Sequence, residues 1–175
     1  EGYLPRDKML PREQLRIKGR INAILEQVNR DNRGAQLVLS RTSPQMLTAL
    51  MQKEVPVIAE QIIEIRDVAR QPGLRAKISV KTNDHRIDPV GACIGMRGTR
   101  IQAVQQELEG ERIDVVVWSD DPVQYIISAL EPADVDRIIL DEDTKTADII
   151  FATNDQLARA IGSQGQNVRL ASDLP

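Results

Sequence analysis

Gly95-Met96-Arg97-Gly98 and Gly162-Ser163-Gln164-Gly165 set two glycines three residues apart, twice in one chain, at an offset of 67 positions. Glycine accepts the positive φ that other residues avoid and, having no Cβ, lets another backbone come close. Arg97 and Arg100 bracket Gly98, and Asn167 and Arg169 follow Gly165, so cations and an amide stand beside the glycines. A phosphate-sugar backbone is the visitor that such loops suit. Other chemistries find little support. Gly91, Gly95 and Gly98 do not make Gly-x-Gly-x-x-Gly after a strand, and no Gly-Lys-Ser/Thr phosphate loop is present. Asp84-His85 with Cys93 suggests nucleophilic catalysis, yet nothing in the sequence brings them together, and a surface histidine beside a turn is the simpler reading. One cysteine and one histidine make neither a disulfide framework nor a structural zinc site, so no metal or cofactor is expected.

The loops need helices on both sides. Laying Ile87 to Val104 on Asn154 to Ala171 gives identity at Asp88/Asp155, Ile94/Ile161 and both glycine pairs, with apolar matches at Val90/Leu157, Cys93/Ala160 and Ile101/Val168. Each copy therefore has an acidic residue near a helix start, an apolar stripe, the loop and a new helix. Upstream of the first copy, Ser43-Pro44 is an N-cap followed by proline at the first helical position, and Met46, Leu47, Leu50 and Met51 form a core stripe. Strands are expected at about 62–69 and 76–82, the latter alternating Ile78 and Val80 with Lys77, Ser79 and Lys81. The two lysines either line a ligand path or form the solvated side of the strand. Asp88-Pro89 opens a short helix, Thr99 is expected to cap the next, and Ile113, Val115 and Val117 mark a closing strand.

The second copy repeats the order. Asp121-Pro122 opens a helix with Val123, Ile126, Ile127 and Leu130 on its apolar face; a hairpin spans 137–140 and 147–151; a helix from Asn154, the loop and a helix to about Ser172 come next. Before all this, residues 19–28 and 35–41 read as strands joined by a turn at Asn32-Arg33-Gly34.

A Gly-x-x-Gly loop between short helices resembles the KH RNA-binding module. The stretch Asp88-Pro89-Val90-Gly91-Ala92-Cys93-Ile94-Gly95-Met96-Arg97-Gly98 is similar to the first KH domain of the NusA family of bacterial transcription factors, and Gly165 to Ser172 to the second. Lys81-Thr82-Asn83-Asp84, Gly110-Glu111-Arg112-Ile113-Asp114 and Met9-Leu10-Pro11-Arg12-Glu13 extend the likeness. The resemblance implies an α+β chain: two tandem type II (helix-first, prokaryotic-type) KH domains, 43–118 and 119–175, preceded by a partial OB-fold β-barrel at 1–42. It implies a second KH domain without its closing strand and a chain truncated at both ends. KH loops clamp about four single-stranded nucleotides. The RNA-binding residues so implied are Gly95, Met96, Arg97, Gly98 and Arg100 in the first copy, and Gly162, Ser163, Gln164, Gly165, Asn167 and Arg169 in the second. Ser163-Gln164 departs from the pattern, since KH loops usually carry a basic residue between the glycines. The implied partners are single-stranded nascent RNA, RNA polymerase and other elongation or antitermination factors, with the chain acting as a monomer in the cytoplasm and modulating pausing, termination and antitermination.

The net charge of −3 hides a gradient. Residues 1–43 carry 9 Lys/Arg against 5 Asp/Glu, 44–118 carry 10 against 10, and 119–175 carry 4 against 11. Most of the last segment's acid lies in 131–148, away from Gly162, so an attractive field at the loops can coexist with an acidic total. No apolar run reaches the roughly 20 residues of a membrane span, and the first residues lack a signal-peptide pattern. Three other readings stay open. The glycines can serve only as tight helix–helix turns. The chain can be the RNA-binding module of an RNA-processing or degrading enzyme, although such enzymes place KH before OB. It can also be an interaction scaffold whose acidic second KH unit does not bind RNA.

Overall fold

The computed structural model describes residues 1–31 and 33–174. The chain begins with a three-stranded sheet of β1 (Gly2–Tyr3), β2 (Ile24–Val28) and β3 (Leu37–Ser40), ordered β1-β3-β2, with β1 parallel and β2 antiparallel to β3. Of the expected turn Asn32-Arg33-Gly34, Asn32 lies outside the described residues. Arg41, just past β3, ties this N-terminal segment to the body of the protein. Its buried guanidinium meets Glu13 at 2.6 Å and Glu107 at 3.1 Å.

The next elements are α1 (Pro44–Glu54), α2 (Pro56–Ala59), β4 (Ile63–Gln71), β5 (Arg75–Thr82), α3 (Pro89–Ile94), α4 (Thr99–Glu107) and β6 (Arg112–Val117). They form a sheet β4-β5-β6, antiparallel then parallel, with the helices packed on one face. Met46, Leu47, Leu50 and Met51 of α1, Cys93 of α3, Val104 of α4 and Ala76, Ile78 and Val80 of β5 meet in one core. The helix starts are set locally. Ser43 Oγ accepts from Gln45 N at 3.1 Å and Asp88 Oδ1 from Val90 N at 3.1 Å, each with proline next in line, and such caps contribute about 1 kcal/mol. Thr99 does not cap α4. Gly98 holds the cap position in the left-handed region and makes no side-chain cap bond, so Thr99 is the first helical residue.

The last elements are α5 (Pro122–Ala129), the hairpin β7 (Arg137–Asp141) and β8 (Thr146–Ile150), α6 (Asn154–Ile161) and α7 (Gln166–Asp173). Asp121 caps α5, and α6 begins at Asn154 as expected, capped by Thr153, whose side chain accepts from Gln156 N at 3.3 Å. The second core is not closed within these elements. Tyr125, Ala129, Leu130, Ala160, Leu170 and Ala171 pack with Ala69 of β4 and Val116 of β6, on the face of the first sheet that its own helices leave uncovered. Leu130, just past α5, is buried as expected; Tyr125 and Ala129 of α5 turn inward beside it, while Val123, Ile126 and Ile127 are partly covered, Ile126 against this core. No helix among the described residues is long and apolar enough to cross a membrane.

Candidate nucleic-acid interface

Helix α3 ends at Gly95 because its φ of 78° and ψ of 171° lie in a region that essentially only glycine occupies. Gly162 ends α6 with φ 73° and ψ 174°. Two residues on, Arg97 (φ 53°, ψ 25°) and Gln164 (φ 54°, ψ 26°) are left-handed, as are Gly98 (φ 77°, ψ 13°) and Gly165 (φ 72°, ψ 14°) after them. The two loops thus agree within about 5° at each of these positions despite different sequences. Each is closed by a turn bond, Gly98 N to Gly95 O at 3.0 Å and Gly165 N to Gly162 O at 3.2 Å. Met96, Arg97, Ser163, Gln164 and Arg169 are exposed, Met96 by 83%. A Cβ at Gly165 would meet nothing within 4 Å, so the last glycine of the second loop faces open space.

The first glycines do a different job. A Cβ at Gly95 would come within 2.8 Å of Arg100 Cγ, and one at Gly162 within 2.7 Å of Asn167 Cβ and 3.0 Å of its backbone nitrogen. Arg100 and Asn167 are equivalent positions in the repeat, and both fold back over the loop. Arg100 Nη1 donates to Ala92 O at 2.7 Å; Asn167 Nδ2 donates to Ala160 O at 3.0 Å and Leu130 O at 3.2 Å. This corrects the expectation for Asn167. It is fully buried and its Oδ1 accepts from Arg75 Nη2 at 2.9 Å, so its amide is committed inside the protein rather than offered to a ligand. Arg100 is half-buried and already bound to a carbonyl, leaving Arg97 as the exposed loop cation of the first copy.

Lys77 also departs from both expectations. It is neither on a ligand path nor on a solvated face but fully buried between the two units, donating to Glu131 O at 2.9 Å and lying 3.5 Å from Asp114. Burial pushes its ammonium below the ordinary lysine range, with Asp114 opposing and Arg75 adding to the shift. Arg75 Nε reaches Asp114 at 2.8 Å. At the other end of the seam, Tyr125 Oη donates to Asp67 Oδ2 at 2.8 Å and lies 2.8 Å from Ser79 Oγ, and burial pushes its phenol well up. Sequence reading missed Arg75 because an alternating polar strand face signals exposure unless its covering layer is known, and missed Tyr125 because its partners Asp67 and Ser79 lie on the other unit's sheet. Lys81 does lie at the surface edge, 4.5 Å from the Trp118 ring, with Arg66 4.7 Å from the same ring.

The catalytic alternative finds no geometry here. Cys93 is fully buried in the first core, where burial pushes its thiol up to about 11, while His85 is exposed on the loop before α3.

Comparison with known families matches residues 41–118 to the NusA-like first KH domain and residues 122–175 to the NusA-like second KH domain. The transcription termination/antitermination protein NusA of Thermus thermophilus is 46% identical over 99% of this chain, and that of Rickettsia conorii 44% identical over 99%. The chain spans 45% and 35% of their lengths. The crystal structure of APE1850 superposes with a TM-score of 0.55 at 21% identity, covering 73% of this chain and 86% of that one, a likeness of fold. The two KH matches stand in tandem, each contains one of the loops, and together they take in most of the sequence: this chain belongs to the NusA family.

Proposed function

We propose that the chain is the RNA-binding portion of a transcription termination/antitermination factor, holding single-stranded nascent RNA beside RNA polymerase and so influencing pausing, termination and antitermination. The observation that carries this is the near-identity of the two loop backbones. Chain geometry kept this closely while the side chains change from Met96-Arg97 to Ser163-Gln164 is suited to a ligand read through its backbone. The relatives named for termination and antitermination supply the process, and they point to a binding protein rather than an enzyme. In this reading the order α1, β4, β5, α3, α4, β6 is the helix-first KH topology, the units run 43–118 and 119–175, and residues 1–42 are part of an OB barrel. The loop groups that meet RNA are Gly95, Met96, Arg97 and Gly98, then Gly162, Ser163, Gln164 and Gly165, with Arg169 alongside; Arg100 and Asn167 hold the loops in shape.

The test is affinity against length for single-stranded RNA. Two loops in one chain, each taking about four nucleotides, form a bivalent clamp. Affinity should climb steeply from about 4 to about 10 nucleotides and then level off. Asp at both Met96 and Arg97, or at both Ser163 and Gln164, should each abolish the climb. Saturation at four nucleotides would show that the two loops do not share a strand.

A further inference from the structure

The second loop has no cation between its glycines, yet the first unit sets cations against it. A cleft of about 270 Å³ at the junction of the units is lined by Leu74, Arg75, Arg112, Arg159, Gly162 and Ser163, among others. Leu74, Arg75 and Arg112 come from the first unit; Arg159, Gly162 and Ser163 come from the second. Asp114 serves three cations here, Arg75 at 2.8 Å, Lys77 at 3.5 Å and Arg112 at 3.5 Å. Arg75 and Lys77 are also fixed by Asn167 and the Glu131 carbonyl, whereas the Arg112 side chain is 66% exposed. Arg159, 55% exposed, sits 3.1 Å from Asp155.

Arg112 faces a second cleft as well. It also lines a surface with Gln102, Gln105, Gln106 and Gly110. Gln102 is the residue nearest the open side of Gly98, its amide 3.4 Å from where a Cβ would stand. Gln105 Oε1 accepts from Ile113 N at 3.1 Å, which anchors that stretch of α4 to β6. A polar route therefore runs from the first loop, along the glutamine side of α4, through Arg112, to Ser163 of the second loop. Amides and one exposed guanidinium suit a phosphate-sugar chain, and the glutamines add no acidic group to repel it.

We propose that a strand held at the first loop crosses to the second over Gln102, Gln105, Gln106 and Arg112, and that Arg112 with Arg159 provides beside Ser163 the phosphate-neutralising charge that the second loop lacks. The proposal rests on the reading of both loops as RNA clamps. The second binding site is composite: its backbone belongs to one unit and part of its charge to the other.

The experiment measures the salt dependence of binding for a 12-nucleotide single-stranded RNA to the whole chain, comparing the parent with Arg112→Gln/Arg159→Gln, Arg112→Lys and Arg97→Ala. Each phosphate neutralised contributes about 0.7 to the slope of log affinity against log salt. The double variant is expected to lower the slope by about 1.4. Arg112→Lys, which keeps the charge, should stay near the parent. Thermal melts confirm that these exposed substitutions leave the fold in place. An unchanged slope in the double variant, with Arg97→Ala still lowering it, overturns the crossing while leaving the loops as RNA sites. An equal loss in Arg112→Lys and in the double variant also overturns it, because the guanidinium would then be structural. A parent that binds no RNA overturns the loop reading and this proposal together.

Discussion

The two loops share a backbone and differ in what holds it. In the first unit, Arg100 lies across Gly95 and binds the Ala92 carbonyl, so closure is internal to the unit. In the second, Asn167 does the equivalent work from a fully buried position and is itself held by Arg75 of the other unit's sheet. One loop is self-contained; the other is built partly by its neighbour. A repeated fold can thus keep its geometry while its support moves from within a module to the contact between modules.

The largest expected effect separates the first glycines. The conformation of Gly95 and Gly162 alone should cost an alanine about 1–3 kcal/mol. At Gly95 the closest approach is to Arg100 Cγ and Cδ at 2.8 and 3.0 Å, which can swing away, with Arg100 Cβ at 3.1 Å; at Gly162 the closest atoms are Asn167 Cβ at 2.7 Å and its backbone nitrogen at 3.0 Å, which cannot shift without moving α7. Gly162→Ala should therefore lose at least about 1 kcal/mol more than Gly95→Ala in denaturant unfolding, roughly the size of a core packing defect. Equal losses would mean that the two loops are supported alike.

Next in size is the closing residue. Asn167→Ala removes a donor from the Leu130 and Ala160 carbonyls and an acceptor from Arg75; Leu130 O keeps Ala133 N and Arg75 keeps Asp114, so the loss should be about 1–3 kcal/mol in all. Arg100→Ala breaks one bond at a half-buried site and should cost about 1 kcal/mol. If Arg100→Ala proves the more damaging, the contrast between internal and shared support is wrong.

Smaller again are the second glycines. Gly98→Ala and Gly165→Ala each force a left-handed alanine at about 1–2 kcal/mol, with no severe clash at either place. Both should fold, so a fall in RNA affinity beyond about tenfold would report on ligand approach rather than on the loop's own stability. On the same axis, Arg97→Ala should reduce the salt slope by about 0.7 while Gln164→Ala leaves it unchanged.

The gentlest probe is pH at the seam. Lys77 is held below its ordinary range by burial, with Asp114 and Glu131 pulling the other way and Arg75 reinforcing the shift. Between its lowered folded value and its unfolded value of 10.5 the unfolded chain carries more of this proton, so stability should rise with pH across that window. Lys77→Met should flatten that rise when unfolding is followed from neutral pH up to the ordinary lysine value of 10.5. An identical pH profile in the two proteins would remove Lys77 as its source.

Much of this was readable from local chemistry. Ser43-Pro44, Asp88-Pro89 and Asp121-Pro122 start helices because the cap oxygen and the amides it accepts from are within three residues of each other. The loops were readable because helix–Gly-x-x-Gly–helix is written twice. The features that escaped all depend on a second layer or on too short a run. The four residues of α2 are too few to show a period. The strand β5 alternates as a half-exposed strand does, and nothing in its own residues shows that Arg75, Lys77 and Ser79 lie beneath α5 and α7. For the same reason the burial of Tyr125 and Ala129 was not legible: they join the expected Leu130 in a core that includes Val116 of the first sheet.

Where helices begin and where the chain turns left-handed are legible in the sequence, since each depends on interactions among residues a few positions apart, and the repeat is legible by comparing the chain with itself. The tertiary structure decided which polar residues are available. Arg75 and Asn167 are 92 positions apart, and only the seating of the second unit on the first sheet brings them to 2.9 Å, turning an expected ligand-binding amide into a strut. Burial is a property of the covering surface, and for this sheet that surface is supplied by residues from the far end of the chain.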